Sequence, residues 1–130
     1  MPVDQDGLCS IAAECVALVT TEYGLTLDWH PDSLQILDDV CQRLLASPMS
    51  SERVDLWWKL VGAYTGEVIL ATYGGQWITH DQAPGSYTVL VNGVTGFPFA
   101  VAGRILGGEP FKSLASFGRA FPHVAGNATH

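Results

Sequence analysis

The segment Ser50–Tyr73 constrains the fold of this chain more than any other part of its sequence. It holds no proline, and its apolar residues recur at the three- and four-residue spacing of a helix. At 100° per residue, five of them fall within one narrow arc. The five are Val54, Trp57, Val61, Tyr64 and Val68. We therefore predict a long central helix that is apolar on nearly every side beyond Lys59 and is buried all round.

Two glycines interrupt this helix nearly opposite the apolar arc. In a helix interior, Gly62 and Gly66 each cost about 0.5–1 kcal/mol relative to alanine, so a packing or functional gain must offset them. Because glycine has no Cβ, the pair lets a second element approach the helix closely. Trp58 points about 100° away from Trp57. It is either a core residue or an exposed aromatic residue that contacts a partner.

Glu67 is the only acidic or basic residue between Leu60 and His80. A carboxylate buried there without a partner would cost several kcal/mol, so it must pair, be protonated or face a cleft. We expect Arg104 or a tyrosine hydroxyl as the partner. Three interpretations stay open: a satisfied structural residue, a solvent-facing residue, or a site residue with a raised pKa.

The rest of the pattern predicts an α+β domain with a helical N-terminal half. Helices are predicted near Leu8–Tyr23 and from Pro31 to about Leu45, with the short extended segment Leu25–Trp29, an edge-strand candidate, between them. Ser50 is the predicted cap of the central helix, which Gly74 and Gly75 end.

A small antiparallel sheet of three strands is predicted after the central helix. The strands are Gln76–Thr79, Ser86–Val91 and Val94–Phe97, and Asn92-Gly93 is a typical tight hairpin turn. Two C-terminal helices follow, one from Pro98 to Gly107-Gly108 and one near Ser113–Phe121. We predict one domain over residues 1–121 and a flexible tail over 122–130.

The central helix and the residues after it resemble a known family. The runs Gly62-Ala63-Tyr64-Thr65-Gly66-Glu67-Val68, Gly75-Gln76-Trp77 and Phe97-Pro98-Phe99 resemble an uncharacterised bacterial domain family, a domain of unknown function. That family has a Gly-Ala-Tyr-x-Gly-Glu-Val helix, then Gly-x-Trp, then Phe-Pro before a helix. The resemblance covers roughly residues 50–120. It marks Tyr64, Glu67 and Trp77 as matched positions and implies no activity for them.

The charge of the chain is strongly asymmetric. Residues 1–55 hold ten acidic residues against Arg43 and Arg53, whereas residues 56–130 hold three against four basic ones, for a net charge of -7. Such a field repels nucleic acid and favours solubility or a basic protein partner. No apolar run is long enough to span a membrane.

The remaining motifs give no catalytic, cofactor or metal signature. The four histidines lack zinc-ligand spacing, and no nucleotide-binding glycine motif or nucleophile elbow is present. Cys9, Cys15 and Cys41 lack CxxC spacing and are interpreted as reduced core thiols of a cytoplasmic protein.

Two functions from different classes stay open, and whether the chain is an enzyme is undecided. The first is a non-catalytic binding or accessory protein, adaptor-like or immunity-like, which contacts a basic protein through its acidic helices or a groove beside Gly62 and Gly66. The second is a small enzyme or small-molecule-binding domain that uses Glu67 in an aromatic pocket with Tyr64 and Trp77. Formation of a homo-oligomer is also left open.

Overall fold

The computed structural model describes residues 5–80, 83–109 and 113–118. Three helices come first in the chain and are followed by three strands that form one sheet. A fourth helix and a short helical segment at 114–118 come after the sheet. The predicted α+β class with an antiparallel three-stranded sheet is confirmed. The elements are α1 Gln5–Tyr23, α2 Ser33–Leu45, α3 Ser51–Tyr73, β1 Gln76–His80, β2 Ala83–Val91, β3 Val94–Gly96, α4 Pro98–Leu106 and α5 114–118.

Helices α1 and α2 come first in the chain. Helix α1 is described over Gln5–Tyr23, which includes the predicted span Leu8–Tyr23, and Gly24 ends it with a left-handed φ of 67° and an N–H bond to Thr20 O. Helix α2 starts at Ser33, because Pro31 and Asp32 form a turn rather than the first helical turn.

The segment between α1 and α2 is not a strand, so the edge-strand expectation for Leu25–Trp29 is wrong. Leu27 is buried in the core, while Trp29 takes a positive φ of 68° that breaks the extended conformation. The alternation of apolar and polar residues reflects one buried leucine in an irregular connection.

Helix α3 begins and ends as predicted. The Ser50 hydroxyl accepts the Arg53 N–H at 3.2 Å, and Gly74 ends the helix with a φ of 77°. The helix is buried through its middle, but the prediction of burial on every side is wrong at its ends. Leu56 is 42% exposed near the start, and Ala71 and Thr72 are exposed in the last turn.

The sheet has the order β1-β2-β3, with both neighbouring pairs antiparallel. Asn92 and Gly93 turn the chain with φ values of 51° and 81°, so the predicted hairpin is confirmed. Trp77 lies opposite Val89 in the register, and both are buried.

Helix α4 begins at Pro98, and its last helical residue is Leu106, so Gly107 caps its end as predicted. The following segment α5 is held by a buried carboxylate of α2, because Asp38 accepts the backbone N–H groups of Leu114 and Ala115 at 2.7 and 3.0 Å. The predicted end of this last helix at Phe121 and the tail over residues 122–130 lie outside the described residues.

The core lies where α1, α4 and the sheet pack against α3, and α2, which packs against α4, adds its buried residues to the same core. Its largest fully buried side chains are Trp57 and Tyr64, both from α3. None of the helices in the described ranges is long and apolar enough to cross a membrane.

Candidate functional site

The glycine pair of α3 receives two aromatic rings of the same chain. A Cβ at Gly62 would lie 2.3 Å from the Phe99 ring, and a Cβ at Gly66 would lie 2.0 Å from the Trp77 ring. Both glycines are buried. The predicted close approach is confirmed, but the approaching elements are α4 and β1. The chain itself covers the two glycines, so the expected groove for a partner at this place is wrong.

Glu67 lies beside one of these rings. Its Oε1 accepts the indole N–H of Trp77 at 3.2 Å, and its side chain is half-buried. The expected partner Arg104 instead faces Glu109, with 3.9 Å between Nε and Oε2. Glu67 and Trp77 are therefore brought together as the sequence suggested, through a hydrogen bond to a neutral donor.

Tyr64 lies away from this pair, so the predicted pocket of Glu67, Tyr64 and Trp77 is not assembled. The Tyr64 hydroxyl accepts the backbone N–H of Trp29 at 2.9 Å and lies 2.5 Å from Ser33 Oγ. Ser33 donates its own proton to His30 O at 2.6 Å, so Tyr64 must be the donor to Ser33. Every polar atom of this chain of hydrogen bonds is satisfied.

Burial raises the pKa of the Tyr64 phenol above its ordinary value of 10, and the backbone N–H that Trp29 donates to the hydroxyl oxygen opposes that rise. The folded protein therefore holds the hydroxyl protonated beyond the pH at which the unfolded chain ionises it. The stability that this contributes is present below pH 10 and decreases as the pH rises further. Tyr64 is a structural link between α3 and the turn before α2.

Trp29 is the residue of this region that sequence reasoning missed. Its positive φ of 68° is rare for a bulky residue, and 37% of its surface is exposed. Its ring packs on the Tyr64 ring with 5.0 Å between centroids. The sequence offers little signal for this, because the apolar alternation before it suggests an extended chain. Only the following His30-Pro31 hints at a turn.

Trp58 was expected to be either a core residue or an exposed aromatic residue, and the structure shows a half-buried position. It donates its indole N–H to Phe99 O at 2.8 Å and packs on the Phe99 ring at 5.2 Å. It also lines an aromatic cleft of about 240 Å³ between α3, β2 and α4. The cleft residues are Trp58, Tyr87, Thr88, Phe97, Phe99, Ala100 and Gly103.

The charged side chains of the N-terminal half are mostly carboxylates in solvent. Within residues 7–58, the ion pair that the structure shows joins Arg53 to Glu22 at 3.7 Å, and Arg43 lies over the Tyr23 ring at 5.9 Å. Both arginines of this half are therefore engaged. The carboxylates left exposed in this range are Glu14, Asp28, Asp32, Asp39, Glu52 and Asp55.

The cysteines divide into two kinds. Cys15 and Cys41 are buried as predicted, whereas Cys9 is exposed, so its placement in the core is wrong. Burial raises the pKa of the Cys41 thiol to about 12 and raises that of Cys15 as well. Both buried thiols stay protonated at neutral pH and are poor nucleophiles.

No cluster of three or more histidine, cysteine or carboxylate ligands that could hold a metal occurs in the described part of the chain. No family model matches the sequence, and neither a curated protein nor a solved structure matches it. The resemblance to a bacterial domain family stays a prediction, and the function must be argued from the chain itself.

Proposed function

We propose that this protein is a non-catalytic binding domain, adaptor-like or immunity-like, whose acidic N-terminal half binds a basic protein in the bacterial cytoplasm. The observation that carries the proposal is the imbalance of exposed charge on this half. Six exposed carboxylates lack an ion pair within residues 7–58, while Arg43 and Arg53 are both engaged within the chain.

Such a surface acts on association before contact is made. Exposed carboxylates on neighbouring helices together attract a positively charged partner and raise its association rate. Because salt screens this attraction, the rate should fall as the ionic strength rises. The same field repels phosphate-rich ligands, which is why a basic protein is favoured over nucleic acid.

Copurification with the tagged protein from its native host, at low ionic strength, tests the proposal. We expect a basic protein to be retained and to dissociate as salt is raised. The triple variant Glu14→Gln, Asp39→Asn, Asp55→Asn removes three exposed carboxylates and should retain much less of it. Glu109→Gln, at an exposed carboxylate of the C-terminal half, is the matched control and should retain as much as wild type.

Two results would contradict the proposal. One is the absence of any retained basic protein at low ionic strength. The other is equal retention by the wild type and the triple variant, since a partner held without these carboxylates is not recognised by the acidic half.

A small-molecule-binding role for Glu67 is the second candidate. What favours it is a half-buried carboxylate whose hydrogen bond comes from the neutral Trp77 indole, so its negative charge is not cancelled by that contact. Tyr64 takes no part in this version, because its hydroxyl is used by Ser33 and Trp29.

A further inference from the structure

Trp29 combines a strained backbone with an exposed ring. A φ of 68° strains the backbone of a bulky residue and persists only where the surroundings enforce it. Here the Tyr64 hydroxyl accepts the Trp29 N–H at 2.9 Å, and the Tyr64 ring packs on the indole. The indole is therefore held in a defined position while 37% of the residue stays in solvent.

The neighbours of this ring on the turn are acidic. Asp28 and Asp32 flank it in the chain, and both are exposed. Asp28 Oδ1 accepts the His30 N–H at 3.2 Å, a bond that uses one of the two carboxylate oxygens of this exposed side chain. Next to the turn, a cleft of about 270 Å³ is lined by Pro31, Asp32, Gln35 and Ala115.

No basic side chain neutralises this turn within the described residues. Arg43 lies over Tyr23 and Arg53 pairs with Glu22, and these are the two arginines of residues 1–55. A turn that carries an exposed aromatic ring and two exposed carboxylates is complementary in charge to a cation that has a flat apolar surface.

We infer that the Trp29 surface, made of Trp29, Asp28 and Asp32, binds arginine side chains of a basic protein segment. A guanidinium stacks flat on the indole and forms forked hydrogen bonds to carboxylates, whereas the ammonium of lysine is compact and more strongly hydrated. Trp29 provides the stacking face, and Asp28 and Asp32 provide the ion pairs. This inference rests on the proposed function and names the chemistry that its partner presents.

Calorimetric titration of the full chain with an octa-arginine peptide at low ionic strength tests the inference. Trp29→Gly removes the ring, keeps the N–H bond to Tyr64 and suits a φ of 68°, so the fold is preserved. We expect its affinity to fall by about 2- to 30-fold, the range for a cation–π contact. Leu56→Ala, which truncates a residue that is 42% exposed on α3, should bind like the wild type.

The carboxylates and the choice of arginine are tested separately. The Asp28→Asn, Asp32→Asn double variant should bind octa-arginine more weakly and with a shallower dependence on salt. Octa-lysine should bind the wild type more weakly than octa-arginine, and Trp29→Gly should reduce that difference.

The inference is overturned if Trp29→Gly binds octa-arginine as tightly as the wild type, if octa-lysine binds equally well, or if the wild type does not bind octa-arginine. These results leave the proposed function standing when the charge-dependent copurification of a basic protein succeeds. The failure of that copurification removes the proposed function, and the inference with it.

Discussion

The two faces of α3 are packed in opposite ways. Toward the N-terminal half the helix contributes its own bulk, since Trp57 and Tyr64 are fully buried there against Tyr23 and Trp29. Toward the sheet and α4 it contributes bare backbone at Gly62 and Gly66, and the rings come from Phe99 and Trp77. Helix α3 therefore provides the large side chains on one face, whereas on the other face it provides the space that rings of neighbouring elements fill.

This difference predicts different responses to a change in side-chain volume. The first face should be sensitive to loss of volume, because the helix's own side chains fill the space. The second face should be sensitive to gain of volume, because even one methyl group meets an aromatic ring. Both faces join α3 to a neighbour, so either change should lower the free energy of unfolding of the domain.

Trp57→Ala should have the largest effect. Removing this fully buried indole leaves a cavity, and we expect the free energy of unfolding to fall by about 3–5 kcal/mol. Urea denaturation followed by circular dichroism measures this loss.

Trp57→Phe is the control: it keeps most of the volume and removes an indole N–H that is buried without a partner among the described residues. It should cost about 1.5 kcal/mol or less. A loss below 1 kcal/mol for Trp57→Ala would mean that this face is not filled by the indole.

Gly66→Ala should rank second. The added Cβ would lie 2.0 Å from the Trp77 ring, so we expect a loss of about 1–3 kcal/mol despite the better helix propensity of alanine. Gly103→Ala on the exposed side of α4 is the matched control, because its Cβ would lie 3.4 Å from the Trp58 indole, an ordinary contact distance. Thermal unfolding should show the control unchanged or stabilised. If the two variants had equal melting temperatures, the close approach of β1 to α3 would be contradicted.

Glu67→Gln should have the smallest effect on stability. The amide oxygen still accepts the Trp77 N–H, so we expect a change of about 1 kcal/mol or less in the free energy of unfolding. The same variant separates the two candidate functions. Binding of the basic partner should be unchanged, whereas a small-molecule role for Glu67 requires that ligand binding be lost while the fold is kept.

Strong local signals made most of the fold predictable. Ser50 caps α3, Asn92-Gly93 turns the hairpin, and Pro98 starts α4, because each acts through its own backbone or its immediate neighbours. The strand prediction for Leu25–Trp29 was wrong because the alternation of apolar and polar residues is only a weak local signal. The contact of Trp29 with Tyr64 outweighs it.

The candidate site was predictable only in part. The sequence grouped Glu67 with Trp77 in an aromatic pocket but named Arg104 or a tyrosine hydroxyl as the partner of the carboxylate, whereas the partner in the structure is the Trp77 indole. It also placed Tyr64 in that pocket, yet the Tyr64 hydroxyl hydrogen-bonds Trp29 and Ser33 at the turn before α2. A hydroxyl accepts whichever donor the fold brings near, and no spacing in the chain reveals that donor.

The sequence by itself determined the elements, the apolar arc of α3, the close approach at Gly62 and Gly66, and the acidic character of the N-terminal half. These follow from backbone conformation, periodicity and composition, which are properties of neighbouring residues. Only the tertiary structure decided which rings cover the glycines, that Glu67 binds an indole rather than a guanidinium, and that Trp29 stays in solvent. The physical reason is that these choices depend on contacts between residues distant in the chain, where packing and hydrogen bonding outweigh local preference.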